Sequence, residues 1–350
     1  MQKFVFVFYG VLALAGGVYL RFNHETILET QGLIQRVNLL TASIENKLSS
    51  TLSDPRYSLL FMGDIMLSRS VGKEMFARND FEYPFLKIAD TIRAADFAFA
   101  NLEGPISNRG ANQGSKYSFR ANPRATEGLT HAGFDALSVA NNHILDWGTL
   151  ALEDTLQILK ENKIAPIGAG RNYEEANEPK IFILGDLPAR INDSSHLGGQ
   201  FALLAYTNLY PQSLEAGIER AGVSEWNLKT IQEKIAVAKK ENDLVIVSLH
   251  WGEEYASHPS EIQRNIARSL VDAGADLIIG HHPHVVQDIE RYKDSYIFYS
   301  LGNFVFDQTF SKATSEGIMA KIVIQNKKIE SVESIEIKIG ETFQPELKNP

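Results

Sequence analysis

Residues 275–287 read Ala-Asp-Leu-Ile-Ile-Gly-His-His-Pro-His-Val-Val-Gln. Leu277-Ile278-Ile279 is the short apolar run of a strand covered on both faces. The run is expected to stop at Gly280 and to deliver three histidines, His281, His282 and His284, within four positions. Pro283 has no backbone N–H and a fixed φ, which stiffens the turn. His282 and His284 are two apart, so in extended backbone their side chains leave one face and converge. Imidazole is a common ligand for Zn, Mn, Fe and Ni. A buried strand that ends in such donors points to an α/β protein with its site at the strand ends.

The surrounding chain has that pattern. Strand-like blocks fall at Ser58–Met62, Phe97–Ala100, Ala136–Ala140, Ile164–Ile167, Ile181–Leu184, Phe201–Thr207, Leu244–Leu249, Leu277–Ile279 and Tyr296–Ser300. Amphipathic helical blocks lie between them, among them Thr149–Glu161, Asn227–Glu241 and Ser260–Ala273. Ile318–Ile324 and Lys328–Ile339 read as an edge hairpin, and the polar stretch from Arg190 to Gln200 as a loop. The fold class is therefore α/β, with strands joined by crossover helices.

Polar residues recur where these strands end. The first gives Gly63-Asp64, the second Asn101-Leu102-Glu103, the third Asn141-Asn142-His143 with Asp146 just beyond, and a later one His250. Singly, each is an ordinary turn former, cap or solvated side chain. Together they place carboxylates, an amide oxygen and imidazoles at one edge. That mixed O/N set suits Mn, Fe, Zn or Mg better than Ca, which prefers oxygen alone.

Composition narrows the rest. At 350 residues the chain is ample for a full core, and its net charge of −9 provides no basic footprint for nucleic acid. It has no cysteine, so any metal must be held by His and oxygen ligands. Phe4 to Leu20 is apolar and uncharged between Lys3 and Arg21, at the short limit for a membrane span. Residues 1–22 are expected to be a membrane anchor that leaves the main domain extracytoplasmic. The alternative is a cleaved signal, with an Ala-x-Ala site at Ala13-Leu14-Ala15. His24 to Leu52 reads as one amphipathic helix, so residues 23–55 form a stalk or linker and residues 56–345 the main domain.

The ordered phrases Gly-Asp-Ile-Met-Leu-Ser-Arg, Asn-Leu-Glu-Gly-Pro, Ala-Asn-Asn-His, His-Trp-Gly-Glu-Glu-Tyr, Gly-His-His-Pro-His and Tyr-Ser-Leu-Gly-Asn-Phe-Val-Phe-Asp resemble the CapA/PgsA family of poly-γ-glutamate capsule proteins. Through it the chain is similar to the calcineurin-like metallophosphatases, especially their 5′-nucleotidase branch. The resemblance covers roughly Leu59 to Asp307. It implies a four-layer α-β-β-α sandwich and a site for one or two divalent metals. By position, Asp64 and His284 would bind the first metal, Asn142, His250 and His282 the second, and Glu103 would bridge. His143 with Asp146 matches the pair that stabilises the transition state, Asp146 orienting the imidazole and keeping it protonated. Arg69 and Arg120 are loop arginines able to hold an anionic substrate.

Two positions depart from the metallophosphatase pattern. Met66 stands where His is usual, and a thioether is a poor ligand for Mg, Mn or Zn. Glu103 replaces the bridging Asp with one more methylene. The site is thus expected to hold one metal, or two with the first weakly bound, and His282→Ala should lower metal content more than Asp64→Ala. Two functions fit. One is an extracytoplasmic metal-dependent hydrolase or transferase acting on a phosphate ester or a γ-glutamyl amide. The other is a membrane-anchored accessory subunit that serves an anionic polymer such as poly-γ-glutamate alongside other capsule synthesis subunits.

Overall fold

The computed structural model describes Thr41, residues 55–185 and residues 199–348. The apolar segment 4–20, the 24–52 helix apart from Thr41, and the expected loop up to residue 198 lie outside them. Among the described residues, no helix is long and apolar enough to cross a membrane.

The chain runs β1 (Tyr57–Ile65), α1 (Arg69–Arg78), α2 (Ala89–Arg93), β2 (Phe97–Leu102), α3 (Ala125–Ala132), β3 (Ala136–Ser138), α4 (Thr149–Glu161) and β4 (Ala165–Ile167). There follow β5 (Ala169–Gly170), α5 (Tyr173–Asn177), β6 (Lys180–Ile183), β7 (Gln200–Thr207), β8 (Gly222–Val223), α6 (Leu228–Glu241) and β9 (Leu244–His250). The last part is α7 (Glu261–Asp272), β10 (Leu277–His281), β11 (Ile289–Tyr292), β12 (Ser295–Phe298), β13 (Asn303–Val305), β14 (Glu316–Gln325), β15 (Lys328–Ile339) and β16 (Pro345–Leu347).

Two large sheets result. The first has the order β16-β15-β14-β1-β2-β3-β4, with β13 beside the end of β1. Strands β1 to β4 are parallel and β14 is antiparallel to β1. The second has the order β11-β12-β10-β9-β7-β6, parallel from β12 to β7 and edged by antiparallel β11 and β6.

Side-chain alternation fixes the layers. Leu59, Phe61, Phe97 and Phe99 of the first sheet pack against Phe201, Leu203, Ile246, Leu277 and Ile279 of the second. On the outer face of the first sheet, Leu60, Met62 and Ala98 meet Val71, Leu129, Leu152 and Leu156 of its helices. On the outer face of the second, Leu204, Val245, Val247 and Ile278 meet Ile231 and Ile235 of α6 and Leu270 of α7. The protein is thus a four-layer α-β-β-α sandwich. Because β strands are covered on both faces, their sequences are continuous apolar runs. Phe61 is fully buried between the sheets, and Phe61→Ala should cost roughly 3–5 kcal/mol.

The expected strands all form. The hairpin β14–β15 lies on the edge side of β1, with the short β16 added only along Ile337–Ile339. The histidine strand differs from expectation in not stopping at Gly280: β10 continues through His281, paired to His250 of β9. Gly280 is in the strand because a Cβ there would meet the Tyr299 carbonyl oxygen at 1.9 Å. Gly63 has the same role in β1, where a Cβ would lie 2.0 Å from the Gly302 oxygen. This close approach lets the Asp64 N–H donate to that oxygen at 3.0 Å and sets Asp64 beside β13.

Candidate metal centre

The parallel strands of both sheets end on the same side of the sandwich, and the expected donors meet there. Asp64 ends β1, Glu103 follows β2, and Asn142 and His143 follow β3. His250 ends β9, and His282 and His284 follow β10. Asp64, Glu103, His250, His282 and His284 are all buried.

Asp64 is the best-connected member. Its Oδ1 accepts from Asn101 Nδ2 at 2.9 Å and its Oδ2 from the His282 backbone N–H at 3.1 Å. His281 Nδ1 lies 3.3 Å from Oδ1 and His284 Nδ1 3.4 Å from Oδ2. His284 Nδ1 also meets Asn303 Oδ1 of β13 at 2.9 Å, which turns its Nε2 into the site. Burial opposes ionisation of Asp64, but the contacts with His281 and His284 outweigh it and hold the carboxyl well below its ordinary value.

Glu103 is the reverse case. Both carboxylate oxygens are buried without a hydrogen-bond partner. Burial pushes its carboxyl well above the ordinary value, and the nearby Asp64 and Glu254 charges add to this. His250 Nε2 lies 3.8 Å from Glu103 Oε1 and 2.8 Å from Asn142 Oδ1. With the Asn101 amide nitrogen 3.2 Å from His250 Nδ1, the ring proton sits on Nε2 and is given to Asn142. Holding a cation there requires that proton to leave Nε2.

The histidine turn does not use extended backbone. His282 has φ 97° and His284 φ 58°. Their rings still converge, with centroids 5.8 Å apart and His282 4.9 Å from His250. The left-handed residues coil the turn so that the His282 N–H faces Asp64, and non-glycine residues hold such angles only where their surroundings impose them. Burial and the neighbouring His284 lower His282 to about 3. For His284, burial is outweighed by Glu103 and Asp64, and its value rises to about 9. Burial, then the neighbouring His282, hold His250 well below its ordinary value.

His281 lies on the inter-sheet face of β10, its ring 6.3 Å from that of Phe99, and supports Asp64 from beneath. Met66 is closed off as a ligand. It is fully buried in the outer core, and its sulfur accepts the Ser68 N–H and hydroxyl at 3.2 and 3.0 Å.

His143 and Asp146 form the expected pair, Nδ1 to Oδ2 at 2.8 Å. Asp146 is itself fixed by the Ser115 hydroxyl at 2.7 Å and the Phe119 N–H at 2.8 Å. Phe119 lies against the His143 ring at 4.1 Å between centroids. A cavity of about 180 Å³ opens over His143 and His284, walled also by Arg69, Glu254 and Tyr255. Arg69 reaches it while pairing with Asp307 at 3.1 Å, its guanidinium 5.5 Å from the Phe119 ring centre. Arg120 is not in this wall. It stacks on Trp147 at 3.5 Å and donates to the Arg109 carbonyl.

Two triads have ligand atoms within 4.8 Å of one another: Asp64, Glu103 and His284, all buried, and Glu254, His282 and His284, of which Glu254 is half-buried. Donor types, spacing and the orphaned Glu103 oxygens are compatible with a divalent cation. Glu254 had no role in the sequence reading, although it lies four positions after His250. Asn101 and Asn303 were likewise missed as the amides that orient His250, Asp64 and His284.

Fold and site define an α-β-β-α protein with a metal-type centre at the strand ends. Residues 58–308 match the model of the PGA_cap family, described as bacterial capsule synthesis protein, and the chain belongs to that family. The capsule biosynthesis protein CapA of Bacillus anthracis is 34% identical over 272 residues, covering 75% of this chain and 63% of that protein. The PGA biosynthesis protein CapA of Bacillus subtilis is 34% identical over 274 residues, covering 77% and 68%. A probable polyglutamine synthesis accessory protein of Mycobacterium tuberculosis is 28% identical over 266 residues, covering 72% and 67%. Among solved structures, the NAD nucleotidase of Haemophilus influenzae superposes with a TM-score of 0.46 at 10% identity, over 85% of this chain and 60% of that one.

Proposed function

We propose that the protein is an extracytoplasmic, membrane-anchored, metal-dependent hydrolase. It acts in making or exporting an anionic capsule polymer such as poly-γ-glutamate, alongside other capsule synthesis subunits. The observation that carries the hydrolytic reading is the His143–Asp146 pair, which faces the cavity shared with the metal-type donors. A cation needed only for stability would require no such pair.

Asp64, Glu103, Asn142, His250, His282 and His284 would hold one or two ions of Mn, Zn, Fe or Mg. When bound, such an ion lowers the pKa of a water and polarises an acceptor oxygen. Asp146 accepts a hydrogen bond from the Nδ1–H of His143 and so points Nε2 into the cavity, where it stabilises negative charge on the reacting group or serves the leaving atom. Arg69 presents its guanidinium to an anionic substituent while Asp307 holds it in place. At about 180 Å³ the cavity admits one reacting group, below the roughly 300–1,000 Å³ of whole-ligand pockets, so the rest of a polymer would lie across the mouth.

The test is hydrolysis by the full-length protein, stripped of metal and reloaded with Mn(II), on a phosphodiester and on a γ-glutamyl amide. His143→Ala should keep its metal and lose about 10²-fold in rate. A metal-loaded wild type that is inert on both, with His143→Ala still supporting capsule formation at normal protein level, overturns the enzyme. The second reading, a non-catalytic accessory subunit with a remnant site, draws on the closed Met66 position and predicts that outcome.

A further inference from the structure

We infer that Glu254, on the loop after β9, is a further metal ligand of the centre, acting with His282 and His284. The inference rests on the metal-dependent reading above and names one more ligand of the same site. The buried triad Asp64, Glu103 and His284 shares His284 with a second group of donors, Glu254, His282 and His284, and Glu254 is the carboxylate of that second group. One of its oxygens lies within 4.8 Å of ring nitrogens of both His282 and His284. His282 is 6% exposed, and its Nδ1 has no hydrogen-bond partner.

The loop is built to keep Glu254 there. Tyr255 N–H donates to the Pro283 carbonyl at 2.8 Å, and Trp251 N–H to the His281 carbonyl at 3.1 Å, so the loop is bonded to the histidine turn on both sides of Glu254. Gln287 adds a side-chain bond to the Ala256 carbonyl at 2.8 Å. Gly252 at φ 92° and Tyr255 at φ 65° bend the backbone over the turn. The strained Tyr255 persists because these bonds over-determine the loop.

A carboxylate beside the two imidazoles makes the donor set harder and adds a negative charge opposite the cation. That favours Mn or Mg relative to Zn.

The experiment measures Mn(II) and Zn(II) affinity by calorimetry on the full-length, metal-stripped protein, with the EPR spectrum of the Mn form. The proteins are wild type, Glu254→Gln, Glu254→His and His282→Ala, each with its metal-free melting temperature. Glu254→Gln should melt like wild type without metal, bind Mn at least about tenfold more weakly and change the EPR spectrum. Glu254→His should shift the Zn-to-Mn affinity ratio towards Zn by about tenfold or more. Unchanged Mn affinity, spectrum and Zn-to-Mn ratio, with His282→Ala impaired, overturn the assignment of Glu254 alone. No binding by wild type overturns the metal reading itself.

Discussion

Asp64 and Glu103 are buried carboxylates at the ends of adjacent parallel strands, and their surroundings are opposite. Asp64 has an amide, a backbone N–H and two imidazoles around it. Glu103 has no hydrogen-bond partner on either oxygen. The first belongs to the hydrogen-bond framework that fixes the histidine turn. The second offers acceptor oxygens that the protein leaves unpaired. A ligand set of this kind therefore divides its labour: one carboxylate builds the site and the other receives what the site holds.

The largest effect should come from breaking the framework. Asp64→Ala strands Asn101, His281 and the His282 N–H, and should lower unfolding free energy by about 3–5 kcal/mol in urea titration. It should also remove more metal than His282→Ala, which reverses the order expected from Met66 alone, because the turn itself depends on Asp64. Wild-type stability in Asp64→Ala would break the comparison.

Next in size is the metal. Mn(II) at 100 times its dissociation constant should stabilise the protein by about 2.7 kcal/mol, reversed by chelation. Smaller again is a proton linkage. His284 is raised to about 9 in the metal-free protein, whereas a ligand nitrogen must be free of its proton. Mn affinity should therefore rise up to roughly tenfold per pH unit below that value, with proton release seen by calorimetry in buffers of different ionisation enthalpy.

The smallest effect has the most telling sign. A carboxyl raised in the folded state stabilises below its unfolded value and destabilises as pH rises past it. Metal-free Glu103→Gln should accordingly be more stable than wild type at pH 7, and the gain should vanish below about pH 4.3. The same variant should lose the Mn-dependent gain. A loss of stability in the metal-free variant at pH 7 would mean that Glu103, like Asp64, is part of the framework.

The buried strands of an α/β fold were legible in the sequence because burial on both faces leaves apolar runs such as Leu244–Leu249 and Leu277–Ile279, whereas the four layers were implied only by the family resemblance. Strand ends were legible because chemistry-bearing residues interrupt those runs. Edge strands β11 and β16 were not, since half-exposed residues such as Glu290 and Glu346 carry no such run. The left-handed turn at His282 and His284 escaped because its cause is a backbone bond to Asp64, 218 residues away. Glu254 escaped for the same reason: its position depends on a bond from Tyr255 to Pro283. Arg120 looked like a substrate group because nothing local indicates that it stacks on Trp147.

The pinning of the histidine turn by Asp64 and β13 also orders events in time. His282 meets a residue near the start of the domain, and His284 is oriented by Asn303, which joins the sheet only through β1. Contacts this distant in sequence close late in folding. A partly synthesised chain therefore lacks the assembled donor cluster, which is complete only once β13 has docked on β1.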